Sequence, residues 1–186
     1  MKGKDGVCFV DKEALKSYTV RKTGEGGAIV VIASAAIGAE SGHIAGRQLL
    51  EKLYRETVGG PMPQILREEG GKPYFADSSW HFSISHTPKH VFCALSQKRI
   101  GIDAEELDRD IRLMLADKIL SAGERTEYDR AEDKRLALLT FWVLKEAEAK
   151  YTGKGIRGYP NKTNFTLTDP RVQRMDGCLV AVIEGE

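Results

Sequence analysis

The sequence predicts an α+β protein made of two similarly ordered halves, residues 1–98 and 99–186. In each half a strand is followed by a helix and then by short strands with the pattern of antiparallel pairing. A chain of 186 residues can form one compact domain from two such halves around a shared core. The repeated order of elements therefore predicts a pseudo-twofold duplication.

The first half is recognised by one strand and one helix. Residues 28–33 form a short, continuous apolar run rich in β-branched side chains, which is typical of a buried strand. From residue 43 to residue 58 apolar positions recur at helical intervals, and Gly59, Gly60 and Pro61 end the helix. Short strands are predicted at residues 73–75, 80–85 and 91–96.

The second half opens with a strand at residues 99–104, and a polar helical region follows it. A long helix is predicted at residues 135–151 and is closed by Gly153. Two further strands are predicted at residues 164–168 and 178–184, which completes the repeated order.

Composition and charge exclude several classes of protein. Hydrophobic residues make up 41% of the chain and charged residues 30%, the balance of a soluble globular protein. The net charge of +1 argues against a protein that coats nucleic acid, since such domains are usually strongly basic. No apolar run is long enough for a signal peptide or a membrane span, so we expect a cytoplasmic location. The widely separated Cys8, Cys93 and Cys178 predict reduced thiols, and neither a disulfide framework nor a zinc site.

Two carboxylates lie on the strand that opens the second half. With a side-chain period of two, Asp103 and Glu105 share one face, while the apolar side chains of residues 100–104 share the other. Their Cα atoms should lie about 6–7 Å apart. An edge strand with a solvated polar face gives the same pattern, so this segment alone does not establish a site.

A buried stretch of the long helix ends in charged residues. Its stripe of side chains spaced by three and four residues begins with apolar side chains and ends with Glu146 and Lys150. Burying an isolated ion is costly, so these charges need partners. They could form an internal salt bridge, or the helix end could emerge into water.

A metal ion shared by Asp103, Glu105 and Glu146 would satisfy all three acids together. Oxygen ligands without histidine or cysteine suit Mg²⁺ that keeps several waters and shares a phosphate. Lys145 and Lys150 would then face the anionic substrate. This combination predicts a phosphate-handling site.

Three interpretations compete for the segment that contains Ser85 and His86. A serine hydrolase would pair the two residues, but strand neighbours point apart and no GxSxG turn is present. A zinc site at His86 and His90 is disfavoured, because Pro88 breaks the helix that such a motif requires. The third interpretation is a phosphate contact made by Ser85 and His86, and a capped strand end is the simplest structural alternative.

Four segments occur in the order seen in phosphopantetheinyl transferases. The chain resembles the monomeric, surfactin-synthetase-activating type of that family, and Arg47 with the residues after it resembles the arginine-bearing helix of the family's N-terminal half. Ala104 and Val143 depart from the family pattern without affecting the acidic residues. The four segments are Gly71-Lys72-Pro73 and residues 82–87, 100–105 and 141–150.

The resemblance implies a pseudo-twofold α+β protein that binds coenzyme A in the cleft between its halves and moves the phosphopantetheine arm onto a carrier-protein serine. Asp103, Glu105 and Glu146 would coordinate Mg²⁺ against the pyrophosphate, and Lys145 and Lys150 would neutralise phosphate oxygens. Glu146 or a water held by the metal would be the base. Adenosine 3′,5′-bisphosphate would be released.

The same resemblance assigns residues to the nucleotide. Ser85 and His86 would contact the 3′-phosphate, and Lys72 with Pro73 would lie against the adenine nucleotide. Arg47 is expected among the residues that bind coenzyme A.

The carrier protein is expected to be acidic and to dock near Arg109, Arg112 and Lys118, where apolar side chains lie among the basic ones. The alternative is a solvated helix whose basic residues pair with neighbouring aspartates. A duplicated chain should act as a monomer. Two rival functions are a non-catalytic protein of the same fold that binds carriers or nucleotides, and a Mg²⁺-dependent phosphohydrolase.

Overall fold

The computed structural model describes residues 18–23, 30–155 and 162–185. These residues form nine strands and four α-helices, and the predicted α+β class is confirmed. The strands are β1 (Tyr18–Thr23), β2 (Val30–Ala36), β3 (Ile65–Arg67), β4 (Pro73–Phe75), β5 (His81–His86), β6 (His90–Ser96), β7 (Ile100–Glu106), β8 (Val172–Met175) and β9 (Cys178–Glu184). The helices are α1 (Gly42–Thr57), α2 (Ala116–Ile119), α3 (Ala122–Arg130) and α4 (Lys134–Thr152), with a 3₁₀ turn at Leu113–Leu115.

Two antiparallel sheets pack face to face between two helices. The first sheet has the strand order β1-β2-β6-β5 and the second has the order β7-β9-β8, while β3 and β4 pair separately. Along β2, Val31 and Ala33 face α1, whereas Val30 and Ile32 pack against the second sheet. Along β9 the same alternation divides side chains between α4 and the first sheet. The described residues therefore form four layers, with α1 and α4 outermost.

Helix α4 approaches β7 closely at Gly101. A Cβ atom at this position would lie 2.1 Å from the carbonyl oxygen of Ala147 and 2.4 Å from the backbone nitrogen of Tyr151. Because neither backbone atom can move aside cheaply, glycine alone fits here. This close approach holds the second half of α4 against the strand that carries Asp103 and Glu105.

The ends of α4 follow from its capping residues. The Asp133 carboxylate accepts a hydrogen bond from the backbone N–H of Leu136 at 2.8 Å. Gly153 ends the helix in the left-handed conformation, with φ of 75°, and the predicted closure there is confirmed.

The strand predicted at residues 164–168 is wrong. The backbone N–H groups of Phe165 and Leu167 donate instead to the carboxylates of Glu124 and Glu127 on α3, at 3.0 and 2.8 Å. Phe165 is buried in the core. The apolar alternation that suggested a strand therefore reflects a loop that is fixed by side chains of a helix.

Strands β1, β3 and β8 were not predicted. β8 joins β9 through Asp176 and Gly177, which have φ values of 50° and 74°. An Asp-Gly pair between two strand-like runs is a strong hairpin signal, so this strand could have been identified from the sequence.

Cys93 and Cys178 are free, buried thiols, as predicted. Cys8 and residues 28–29 lie outside the described residues. Of the helices that the structure describes, none is long and apolar enough to cross a membrane.

Candidate active site

A cavity of about 880 Å³ opens where β5, β7, α1 and α4 meet. Carboxylates from β7 and α4 lie on one side of it, and basic side chains come mainly from α1, β3 and the end of β5. The predicted site residues that line it are Arg47, Pro73, Ser85, His86, Asp103, Glu105, Glu146 and Lys150.

Serine hydroxyl groups join β5 to β7. The Ser83 hydroxyl accepts a hydrogen bond from the N–H of Ile102 at 3.1 Å, and the Ser85 hydroxyl accepts one from the N–H of Ala104 at 3.2 Å. Serines two residues apart share a strand face, so they match alternate N–H groups of the neighbouring strand. Ser85 also donates to Oδ1 of Asp103 at 2.9 Å. It therefore positions Asp103, while its contact with a 3′-phosphate stays a prediction.

The two carboxylate oxygens of Asp103 have different surroundings. Oδ1 accepts hydrogen bonds from the Ser85 hydroxyl and from the Lys150 ammonium, which lies 2.8 Å away. Oδ2 is buried and has no hydrogen-bond partner among the described residues. Leaving a buried carboxylate oxygen unpaired costs free energy, and a bound cation would remove that cost.

Glu105 lies on the same face of β7 and already has partners. Its Oε1 accepts a hydrogen bond from the indole N–H of Trp142 at 3.1 Å and also contacts the Arg109 guanidinium. Arg109 lies over the Trp142 ring, 5.6 Å from the ring centre. The structure thus holds Arg109 beside the carboxylates, whereas the sequence placed it in a docking surface.

Glu146 completes the acidic wall from α4. Its burial and the nearby carboxylate of Asp103 raise its pKa, and Lys150 and Arg109 only partly oppose that shift. A cation bound between Asp103 and Glu146 would favour the ionised form of both.

The three carboxylates offer the type of ligand that a hard divalent cation prefers, but their oxygens lie too far apart to bind one ion together. They offer only oxygen ligands, and Asp103 supplies an unpartnered one. Among the described residues, however, Asp103, Glu105 and Glu146 do not bring one oxygen each within 4.8 Å of the others. Coordination by all three therefore requires the glutamate side chains to turn toward Asp103.

The opposite wall of the cavity is basic. Arg47 and His86 line it, and the sequence analysis missed His43 and Arg67 beside them. The His43 and His86 rings meet edge to face, with centroids 5.3 Å apart. Partial burial, His43 and Lys150 lower the pKa of His86, so its imidazole is mostly neutral at pH 7 until an anion binds. His43 precedes Arg47 by one helical turn, and this spacing was the available signal.

Lys72 lines a smaller cavity of about 290 Å³ together with Pro73 and Lys150. Its ammonium donates to the backbone carbonyl of Ile100 at 2.8 Å and to that of Lys150. Burial, followed by repulsion from Arg99, lowers the pKa of Lys72 to about 8. The charged end of Lys72 is therefore engaged by the backbone, and the contact of Lys72 and Pro73 with a nucleotide stays a prediction.

The structure does not place Lys145 among the residues that line either cavity. Its ammonium is buried and pairs with the Glu124 carboxylate at 2.8 Å, and it donates to the carbonyl of Thr163 at 3.2 Å. Lys145 directly precedes Glu146, so the two side chains project about 100° apart around the helix. Lys145 connects α4 to α3 in the core.

Comparisons with known proteins support the resemblance to the family. Residues 99–178 match the family model described as the 4'-phosphopantetheinyl transferase superfamily. This range contains strand β7, which carries Asp103 and Glu105, and helix α4. The predicted resemblance to the family is therefore confirmed.

Curated relatives carry the same description. The chain is 36% identical over 118 residues to the 4'-phosphopantetheinyl transferase psf-1 of Bacillus pumilus, which covers 61% of this chain and 50% of that protein. It is 38% identical over 95 residues to the 4'-phosphopantetheinyl transferase Sfp of Bacillus subtilis (strain 168), a match that covers 48% of this chain and 41% of that protein. It is 34% identical over 116 residues to the 4'-phosphopantetheinyl transferase AcpT of Escherichia coli (strain K12), a match that covers 59% of this chain and 56% of that protein. The chain spans about half the length of the curated relatives it matches.

Proposed function

We propose that this chain, whose residues 99–178 match the 4'-phosphopantetheinyl transferase superfamily, is itself such a transferase. It moves the phosphopantetheine arm of coenzyme A to a serine of an acyl or peptidyl carrier protein and releases adenosine 3′,5′-bisphosphate. One observation carries the proposal: a single cavity joins the unpartnered, buried oxygen of Asp103 to a wall of cationic side chains. A pyrophosphate bridged by a cation and a terminal phosphate need these two surroundings together.

Asp103, Glu105 and Glu146 are the residues that would hold Mg²⁺. When bound, the ion neutralises charge on the pyrophosphate and on the leaving oxygen. Lys150 and Ser85 hold Oδ1 of Asp103, so Oδ2 remains the oxygen available for a ligand.

Phosphoryl transfer requires little covalent chemistry from the protein, and most of the catalysis comes from positioning and charge neutralisation. Arg47, His43 and His86 bind the 3′-phosphate, and Lys150 stabilises the pyrophosphate. Glu146, or a water held by the metal, would accept the proton of the carrier serine.

The carrier protein docks on a patch formed by Arg112, Leu113, Met114 and Lys118, called the docking patch below. Leu113 and Met114 are 48% and 68% exposed. In the part of the chain that the structure describes, Arg112 and Lys118 have no ion pair, because the neighbouring aspartates pair with other residues or with none. Free positive charge beside exposed apolar side chains suits an acidic partner.

The proposal extends to the organisation of the chain. Residues 1–98 and 99–186 act as the two members of a pseudo-twofold pair in a cytoplasmic monomer. The order α1, first sheet, second sheet, α4 supports this arrangement, since a twofold axis between the sheets would produce it.

The experiment is incubation of the chain with coenzyme A and Mg²⁺, with and without several apo carrier proteins. Adenosine 3′,5′-bisphosphate is measured together with the mass of each carrier. The transferase releases the bisphosphate only with a carrier, whose mass rises by one phosphopantetheine arm. Release without a carrier would instead indicate a phosphohydrolase, and no release with any carrier would indicate a non-catalytic binding protein.

A further inference from the structure

We propose that His90, Glu106 and Cys178 form a Zn²⁺-binding site separate from the transferase site. The three residues lie at the ends of β6, β7 and β9 that meet on one side of the molecule. One potential ligand atom from each lies within 4.8 Å of the other two. Nothing in the proposed transfer reaction uses these residues.

The distances between the ligand atoms match a tetrahedral zinc site. With Zn–N and Zn–O near 2.0 Å and Zn–S near 2.3 Å, tetrahedral angles place N and O about 3.3 Å apart and S and N about 3.5 Å apart. In the structure Nδ1 of His90 lies 3.4 Å from Oε1 of Glu106 and 3.8 Å from Sγ of Cys178. The site therefore needs only small movements to close around the ion.

The kinds of ligand select zinc over magnesium. A thiolate, an imidazole and a carboxylate suit a borderline-soft ion, whereas Mg²⁺ takes oxygen ligands. Cys178 and Glu106 together supply two negative charges when ionised, which balance Zn²⁺ in a site that is largely buried. The thiol proton leaves to solvent when the ion binds.

The strands and their neighbouring side chains hold the three proposed zinc ligands in place without an ion. Glu106 and Cys178 are directly opposite each other in the β7–β9 register. The Thr87 hydroxyl donates to Oε1 of Glu106 at 2.5 Å and accepts from the N–H of His90 at 2.9 Å, so it supports two of the ligands. Lys89 lies 3.8 Å from Glu106, but its side chain is 60% exposed and can turn into solvent when a cation binds.

The site faces away from the transferase cavity. Glu105 and Glu106 are consecutive on β7, so their side chains lie on opposite faces of the strand. None of the three zinc ligands lines either of the two cavities described above. Zinc here would tie β6, from the first sheet, to β7 and β9, from the second. The ligands stand at residues 90, 106 and 178, so no short spacing motif reveals them, and the sequence-based exclusion of a zinc site missed them.

The test uses the full chain after its metals have been removed with a chelator. Co²⁺ is added, and the absorption spectrum is recorded. We expect a thiolate-to-cobalt charge-transfer band with the intense visible bands of tetrahedral cobalt, and one equivalent of Zn²⁺ should abolish both. Zn²⁺ should also raise the Tm of the metal-free protein, because an ion that binds only the folded state stabilises it.

Variants assign the signal to the three residues. Cys178→Ser should lose the charge-transfer band and the Zn²⁺-dependent rise in Tm, while Cys93→Ser, which removes the other buried thiol among the described residues, should keep both. Glu106→Gln, which keeps the side-chain shape, should weaken Zn²⁺ binding by at least about tenfold and provides the test should Cys178→Ser fail to fold. A folded parent without the thiolate band would overturn the proposal. So would an unchanged band in Cys178→Ser or unchanged Zn²⁺ affinity in Glu106→Gln.

Discussion

At the scale of single residues, the site depends on how Asp103 is held. Lys150 and Ser85 occupy one of its oxygens, so the carboxylate cannot rotate freely. The other oxygen is buried and unpartnered among the described residues, an arrangement that is unfavourable for stability alone. The arrangement makes sense for a group that has to meet a cation, since binding would then satisfy the oxygen.

Lys150 should contribute to catalysis more than to stability. We expect Lys150→Ala to lower turnover by about a hundredfold, because it removes a fixed positive charge next to the pyrophosphate. Lys150→Arg should restore only part of the rate, since a guanidinium has different geometry. The measurement is kcat at saturating coenzyme A on protein shown to be folded. Lower Tm with unchanged kcat would indicate that Lys150 only forms a salt bridge with Asp103.

Glu146 should lower the stability of the metal-free protein above its folded pKa. Its pKa is raised from the ordinary value of 4.5, so the folded state binds that proton more tightly than the unfolded state does. The stability that comes from the protonated form is complete below pH 4.5 and is lost as the pH rises through the folded pKa. Glu146→Gln should therefore raise Tm at pH 7 and abolish transfer.

The pH series supplies the control for this prediction. The gain in Tm from Glu146→Gln should shrink as the pH falls below 4.5, where Glu146 is protonated in both states. Mg²⁺ should also reduce the gain at pH 7, because a bound cation favours the ionised parent. A variant that is less stable than the parent at pH 7 without Mg²⁺ would show that the ionised Glu146 does not destabilise the metal-free protein.

At the scale of elements, helix α4 shows what periodicity can and cannot predict. The spacing by three and four residues correctly put Glu146 and Lys150 on one stripe, and both line the cavity. Lys145 does not belong to that stripe, and its predicted role at the phosphates came from its position next to Glu146 and from the family resemblance. Its partner Glu124 is 21 residues earlier in the chain, on a helix that single-sequence patterns do not place.

The Lys145–Glu124 pair should act on stability alone. Both side chains are almost fully buried, with 1% and 0% exposure, so Lys145→Met should destabilise the fold by about 3–5 kcal/mol through the unpaired carboxylate. Changing Glu124 to Gln in the same chain should recover part of that loss. Urea unfolding of both single variants and the double variant measures the coupling. The KM for coenzyme A should stay unchanged in each folded variant, and a raised KM would return Lys145 to the phosphates.

The docking patch should contribute to binding of the carrier protein and not to binding of coenzyme A. Charge reversal at Arg112 and Lys118 should raise the KM for the carrier, strongly at low salt and weakly at high salt, because charge acts mainly on the association rate. The KM for coenzyme A should not change. Arg55→Glu on α1 is the control, since it reverses an exposed charge outside the patch. An unchanged carrier KM, or an equal loss for both substrates, would remove this patch from the docking surface.

At the scale of the whole molecule, the cavity depends on contacts that the sequence pattern does not contain. The alternation of side chains along a strand correctly put Ser83 and Ser85 on one face of β5, and Asp103 and Glu105 on one face of β7. It could not show that β5 and β7 are neighbours, because they belong to different sheets and meet through hydroxyl groups. Arg67 was missed for the same reason, since it lies on β3, whereas His43 lies one helical turn from Arg47 on α1 and could have been identified.

The most direct test of the metal-assisted transferase site is the mass of an apo carrier protein after incubation with coenzyme A, Mg²⁺ and either the parent or Asp103→Ala. The parent should add one phosphopantetheine arm, and excess EDTA should prevent the addition. Asp103→Ala should stay folded, with its far-ultraviolet circular dichroism unchanged, and add nothing, because the oxygen that meets the cation is gone. Full modification by Asp103→Ala, or by the parent in EDTA, would contradict the metal-assisted transferase site described here.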